Sequence, residues 1–393
     1  MKIIPSKRLQ GLSNYAFAEV NKMVNSLRDQ GIQPIDFGVG DPSEPTPKFI
    51  RERLKSALEE HATTGYPFYT GSKAYLQACV NWMKRRFDVG LDPEKELCSS
   101  LGSKEAIFNF PNAILNPGDI VIIPSPGYPP MKTGTMMSGG IPFFVPLLAE
   151  NKFLIDFEAI PEEVVKKTKI LWLNYPNSPT GATASRDYYE RLIAWAYRHD
   201  IILAADEGCY IDLYFEEKPI SILEIAKEGI ITFYSLSKRN NMTGYRIGFV
   251  AGDKQLIDLF KKLKTNIDSG TPNFIQEAAI SALNDEQHVQ SMRNIYQQKR
   301  DILFPALRDL GLEVNSPEST FYLWQKIPSQ MTSVEFTTHL LSPDLALVVT
   351  PGSWISDFCE GNINPGEGYV RFALVPTLPQ VAEASYRIRK YLN

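Results

Sequence analysis

Residues 169–206 read KILWLNYPNSPTGATASRDYYERLIAWAYRHDIILAAD, and the order of patterns inside them decides the fold. Lys169–Asn174 (KILWLN) is a continuous apolar run of strand length. Arg186–His199 carries Tyr189, Leu192, Ile193 and Ala196 at the spacing of one helix face. Ile201–Ala205 is a second apolar run, closed by Asp206. Strands that are apolar throughout are buried on both faces, and parallel strands need a crossover element between them. Working outward, Asp119–Pro124 (DIVIIP), opened by the turn Asn116-Pro117-Gly118, and Ile230–Tyr234 repeat the strand pattern. The reading is an α/β chain with a mostly parallel sheet between helices.

The two ends read differently. Asp285–Leu310 has the pattern of a long connecting helix, which Pro305 should kink or shorten by its last turn. Strand-like pieces at Phe321–Gln325 and Tyr369–Val375 alternate with helical Ser333–Leu340 and Gln380–Leu392, an α+β layout. Residues 31–47 are rich in Gly and Pro and read as a segment passing between domains. The expected division is a large domain over 48–284 and a smaller one formed by 1–47 with 285–393.

Composition narrows the function. The 393 residues are 44% hydrophobic and 22% charged, as in ordinary globular proteins, with a formal charge of −4. No basic field exists to attract nucleic acid or an anionic membrane. Cys79, Cys98, Cys209 and Cys359 have no paired spacing and no neighbouring His, so they read as reduced thiols rather than a disulfide frame or a metal site. The apolar stretch Ile141–Ala149 is broken by Pro142 and Pro146 and is far shorter than the ~20 residues of a membrane span. With no long apolar segment at the start, the expected location is cytoplasmic.

The chemical signal is Ser235-Leu236-Ser237-Lys238 with Thr243-Gly244-Tyr245-Arg246, directly after the strand Ile230–Tyr234. A lysine at the end of a buried strand can form a Schiff base with an aldehyde. Ser235, Ser237 and Arg246 suit a phosphate. An aldehyde that carries a phosphate is pyridoxal 5′-phosphate (PLP). Asp206 could hold a pyridine nitrogen protonated. Gly102-Ser103-Lys104-Glu105 opens a helical run, Ala106–Leu115. Tyr128 and the segment Asn174–Gly181 also follow strands. Open α/β sheets bind ligands at the carboxyl ends of their strands, where these residues fall.

From about Asp36 to the C-terminus the chain resembles the class I aminotransferases, PLP enzymes of fold type I with a large domain and a smaller α+β domain. The likeness rests on SLSK followed by NMTGYRIGF, and on GSKE, PSPGYP, NYPNSPTGA and VRFALV in that order. YPFYTG, LGSKEAI, LNPGD, PGYPPMKTGT and KTNIDSGTPNFIQ are similar to the bacterial LL-diaminopimelate aminotransferase group, whose neighbours use N-succinyl-diaminopimelate, aspartate, alanine or aromatic amino acids. The resemblance implies that Lys238 holds PLP and moves the substrate proton. It implies that Asp206 pairs with the ring nitrogen and that Tyr210 donates to the ring's phenolic oxygen, helped by Asn177 or Ser178. Tyr128 would stack on the ring. Ser103, Lys104, Ser235, Ser237 and Arg246 would hold the phosphate. Arg371 would clamp the substrate α-carboxylate beside Gly40. Tyr66 would reach the phosphate of a partner subunit, so a homodimer with shared active sites is implied. The reaction would carry an amino group from an amino acid to a 2-oxo acid such as 2-oxoglutarate, through pyridoxamine phosphate. The same scaffold also supports β-lyases. A PLP-sensing regulator would need a DNA-binding domain, for which the N-terminus leaves no room.

Three features depart from that pattern. Asp206 and Tyr210 are four apart where three is usual, so Gly208 reads as an extra residue absorbed in a bulge or turn, with Glu207 the alternative ring partner. Ser178 stands where Asn is general. Arg239 follows the lysine and could meet either the phosphate or the far end of the substrate. For a substrate with a distal ammonium and carboxylate, Tyr15, Tyr69, Lys132, Asn266 and Asp268 are the candidate readers.

Overall fold

The computed structural model describes residues 1, 3–11, 18–310 and 317–392 of the chain. Seven strands form the central sheet: β1 (Leu97–Ser100), β2 (Ile120–Ser125), β3 (Ile141–Pro146), β4 (Thr168–Leu173), β5 (Ile202–Gly208), β6 (Ile230–Ser235) and β7 (Gly248–Gly252). Their spatial order is β1-β7-β6-β5-β4-β2-β3. The pairs from β3 across to β6 are parallel, whereas β7 is antiparallel to both β6 and β1. Only β7 therefore runs backwards. The carboxyl ends of the other six and the start of β7 lie along one edge of the sheet. That places the segments after Ser100, Ser125, Leu173, Gly208 and Ser235, together with Arg246 just before β7, on a common rim.

The local sequence explains the layers. Ser185 caps the helix Arg186–Arg198, its hydroxyl accepting from the Tyr188 amide. Tyr188, Tyr189, Leu192, Ile193, Trp195 and Ala196 are buried along that helix. Burying a side chain such as Leu192 or Ile193 stabilises the fold by about 1.5–3 kcal/mol. On the opposite side of the sheet, Phe110, Trp172, Phe233 and Phe260 form a separate buried cluster. The helical run expected over Ala106–Leu115 is instead two short helices, Ser103–Asn109 and Pro111–Ile114. Pro111 lacks the amide that would continue the first helix and opens the second.

A further core gathers Phe37, Tyr210, Tyr296, Phe321, Leu323 and Phe372 with residues toward the C-terminus. It packs beneath an antiparallel sheet of Thr350–Pro351, Tyr369–Ala373 and Tyr322–Lys326. Ile35–Asp36 pairs with Leu347–Val348, so the Gly- and Pro-rich segment is held at its start by this part of the chain. The connecting helix spans Gln287–Arg308 with Pro305 inside it. Of the two outcomes expected of Pro305, a kink or a split-off last turn, the split does not occur. A single backbone hydrogen bond is forfeited there, while Leu303, Ala306 and Leu307, all buried, hold the turn against the core.

Candidate functional site

The end of β5 sets the geometry. Asp206 pairs with Phe233 of β6, but the next partner, Tyr234, faces Gly208. Glu207 is thus the extra residue of a bulge, and the strand runs past Ala205 to Gly208. The bulge was expected, but at Gly208. Gly208 has its own reason to be glycine: a Cβ there would lie 2.2 Å from the Tyr234 Cα.

The bulge sends the two carboxylates to different surroundings. Glu207 is fully buried and accepts from Ser221 Oγ (2.7 Å), the Ile222 amide (2.7 Å) and the Tyr234 hydroxyl (3.0 Å). Burial raises its pKa to about 7, and those three donors act against the rise. Asp206 is 3% exposed, and its Oδ1 is buried with no donor. Burial raises this pKa to about 7 as well, with the Cys209 thiol beside it pulling down and Glu207 pushing up. Two buried carboxylates sit side by side in sequence, and of the two only Asp206 keeps a buried oxygen without a donor, the Cys209 thiol being its side-chain partner. A nearby cation would return it to the ionised form.

The residue that meets Asp206 after the bulge is Cys209, whose sulfur is 3.1 Å from Ser103 Oγ. The Tyr210 hydroxyl shares a hydrogen bond of 3.0 Å with the Tyr322 hydroxyl. Its ring packs edge-on against Phe321 and Tyr322. The usual spacing of three after Asp206 thus ends on Cys209, which sequence reading had passed over as a core thiol.

Lys238 lies on the short helix Leu236–Arg239 after β6. Its Nζ donates to the Gly40 carbonyl at 2.5 Å and stands 5.9 Å from the centre of the Phe321 ring. Gly40 is closely packed, since a Cβ on it would fall 1.9 Å from the Tyr322 hydroxyl. Two residues earlier, the Gly38 carbonyl accepts from Arg371 Nη2 at 2.8 Å. Arg371 also donates to Thr350 Oγ1 at 3.3 Å, lies over the Tyr322 ring and keeps a buried Nε without an acceptor. The segment 38–40 therefore joins the two cations into one cleft, with Tyr322 beneath it.

A second group of donors lies on the rim beside this cleft. Ser235 Oγ accepts from the Ser237 amide, and Ser237 Oγ accepts from Arg246 Nη1 at 3.4 Å. Arg246 Nη2 donates to the Leu101 carbonyl at 3.1 Å and presses on Gly102, where a Cβ would sit 2.7 Å from it. Ser103 is buried and Lys104 exposed. Tyr128 follows β2, and burial together with Cys209 and Asp206 pushes its phenol pKa up. At the end of β4, Asn174 Nδ2 donates to the Asp206 carbonyl at 2.9 Å, and its Oδ1 accepts from the Ser178 amide at 3.0 Å. Asn177 is buried, with Oδ1 accepting from the Thr180 amide and hydroxyl. Asn174 thus braces the Asp206 strand, a role that its place at the strand end could have suggested.

Other expected residues stay outside this cluster. Tyr66 is 84% exposed, in a surface groove with Pro67, Pro272 and Phe274. Tyr15 lies outside the described residues. Arg239 meets neither end of the cleft but is buried, with Nε on Asp212 at 2.5 Å, Nη2 on Glu286 at 2.6 Å and Trp82 beneath it. Asp212 also binds Arg86 at 2.7 Å, and the two guanidiniums keep it ionised against the effect of burial. Lys132 pairs with Asp357, Asp268 with Lys264 at 2.7 Å, and Asn266 donates to the Lys262 carbonyl. Each of these candidate readers already has a partner within the chain. Among the described residues no His, Cys, Asp or Glu cluster could hold a metal ion, and no helix is long and apolar enough to cross a membrane.

The family model for aminotransferase class I and II matches residues 32–381. The chain belongs to that family. It is 44% identical to the LL-diaminopimelate aminotransferase of Aquifex aeolicus over 388 residues, 98% of each chain. Among solved structures it matches an aminotransferase from Neisseria meningitidis with a TM-score of 0.91 and 34% identity, covering 98% of this chain and all of that one. A probable N-succinyldiaminopimelate aminotransferase from Thermus thermophilus matches with a TM-score of 0.87 and 29% identity, covering 95% and 99%. The protein is a PLP-dependent aminotransferase acting on small molecules. The site fits that cofactor by its own chemistry: an orphaned buried carboxylate oxygen at Asp206, a partly buried lysine amine and a rim of hydroxyls with Arg246.

Proposed function

We propose that this aminotransferase takes the amino group of LL-diaminopimelate, with 2-oxoglutarate as a partner 2-oxo acid, in the cytoplasm and as a homodimer. The identity of 44% over 98% of both chains, to a relative named for that substrate, carries the reading. The solved structure named for the N-succinyl form, at 29% identity, supports the alternative donor less strongly. Residues 48–284 are proposed as the large domain and 1–47 with 285–393 as the small one.

In this reading PLP supplies an electron sink for labilising the substrate α-proton. Lys238 holds the cofactor and moves that proton. Its contact with the Gly40 carbonyl fixes the amine over the cleft. Asp206, beside the ring nitrogen, stabilises its protonated form. Ser235, Ser237, Ser103, Lys104 and Arg246 bind the phosphate, and Tyr128 covers the ring. Arg371 binds the substrate carboxylate, exchanging its Gly38 and Thr350 contacts and offering its unpaired Nε. Exposed Tyr66, with Phe68 at 71% and Tyr69 at 40% exposure, supplies a surface for a second copy.

A half-reaction screen tests the substrate. LL-diaminopimelate, its N-succinyl form, aspartate, glutamate, alanine and phenylalanine are mixed singly with the PLP-loaded enzyme while its visible absorbance is followed. LL-diaminopimelate should bleach the band at least tenfold faster than the other five. A faster reaction with the N-succinyl form transfers the assignment to that donor, and release of a 2-oxo acid with the band retained would mean elimination.

Arg371→Lys should raise KM about tenfold or more for every amino acid and 2-oxo acid that reacts, because lysine keeps the charge but loses the fork. Steady-state kinetics on two donors and two acceptors check this. A change confined to one substrate would assign Arg371 to a side chain instead.

A further inference from the structure

Cys79, Cys98 and Cys359 are buried, whereas Cys209 is partly exposed. The Cys209 sulfur lies 3.1 Å from Ser103 Oγ and against the Asp206 carboxylate, with Lys238 in electrostatic reach. Tyr128 feels both the same thiol and the same carboxylate. Asp206 is nine-tenths buried and more, yet Oδ1 has no donor. Buried carboxylate oxygens are costly to leave unpaired, so this corner is built to receive a ligand group. The Tyr210 hydroxyl, which could have faced it, is instead bonded to the Tyr322 hydroxyl at 3.0 Å.

We infer that Cys209 is a cofactor-facing residue, its thiol forming the part of the cradle between Asp206 and Ser103 that bound PLP covers. The inference rests on the proposed seating of PLP on Lys238 and Asp206. A thiol is a weak donor, so Cys209 contributes shape and a soft contact more than a hydrogen bond. The bulge at Glu207 is what turns it to this place. Bound cofactor closes the thiol off, and a bulky group on the sulfur fills space that the cofactor needs.

Alkylation with and without cofactor tests this. Burial pushes the Cys209 thiol up to about 12, so iodoacetamide is applied at about pH 9, where some thiolate forms. Cofactor-free and PLP-loaded protein are treated in parallel, and modified peptides are identified by mass spectrometry. Cys209 should be labelled at least tenfold faster in the cofactor-free protein, and the alkylated protein should take up PLP at least tenfold more weakly. Equal labelling in both forms, or unchanged uptake after alkylation, overturns the inference. A borohydride-reduced sample separates the two claims. PLP fixed on Lys238 with Cys209 still open refutes the role of Cys209 alone, whereas PLP fixed on another lysine refutes the seating.

Discussion

Lys238→Ala should lower kcat by ~10⁵-fold or more, about 7 kcal/mol on the barrier, and remove the visible band of the bound cofactor while leaving the fold intact. The size follows from position. Lys238 is at the rim, at the end of a strand that is buried along its whole length, and its amine reaches into the cleft beneath residues 38–40. Neighbouring lysines do not substitute for it. Lys264 is fully buried and paired with Asp268, and Lys132 is paired with Asp357. The loss should appear in kcat while circular dichroism and the melting temperature stay near those of the parent, because the amine touches the Gly40 carbonyl and the Phe321 ring face and makes no ion pair among the described residues. Activity within tenfold of the parent would place the cofactor lysine elsewhere.

Asp206→Ala should have the second largest effect, a fall in kcat of ~10³-fold or more, about 4 kcal/mol, with KM changed much less. A carboxylate beside the ring nitrogen stabilises its protonated form, and removing it weakens the electron sink without touching the carboxylate clamp at Arg371. A cofactor analogue methylated on the ring nitrogen carries permanent charge and should restore part of the rate. Glu207→Gln supplies the contrast. Glu207 spends its oxygens on Ser221, Ile222 and Tyr234, away from the cleft, and an amide can still accept there. That variant should keep kcat within about tenfold, ~1.4 kcal/mol, and lose stability instead. If Glu207→Gln is crippled and rescued by the analogue while Asp206→Ala is not, the two carboxylates have been assigned the wrong way round.

The strands around this site were legible because each is apolar along its length. Ile230–Tyr234 was read one residue short of the observed end at Ser235, and Lys169–Asn174 is shifted by one from Thr168–Leu173. The common rim followed from their parallel alternation with helices. What could not be read is set by pairing between distant segments. The bulge at Glu207 exists in the register of β5 against β6; the resemblance pointed to Tyr210, four residues after Asp206, and that Cys209 is the residue meeting Asp206 could not be read along the chain. Arg239 is next to Lys238 in sequence, but its fate is decided by Asp212 and Glu286, whose convergence no local pattern announces. Tyr322 carries little signal of its own, yet it closes the floor under Gly40, Arg371 and Tyr210. Pro111 was legible as a helix breaker and was passed over inside an apolar run.

The most direct test of the account is to reduce the PLP-loaded enzyme with borohydride, digest it and locate the phosphopyridoxyl group by mass spectrometry. The account predicts a single modified residue, Lys238, in the peptide containing SLSKR. Modification of Lys104, Lys132, Lys264 or any other lysine in place of Lys238 would contradict it.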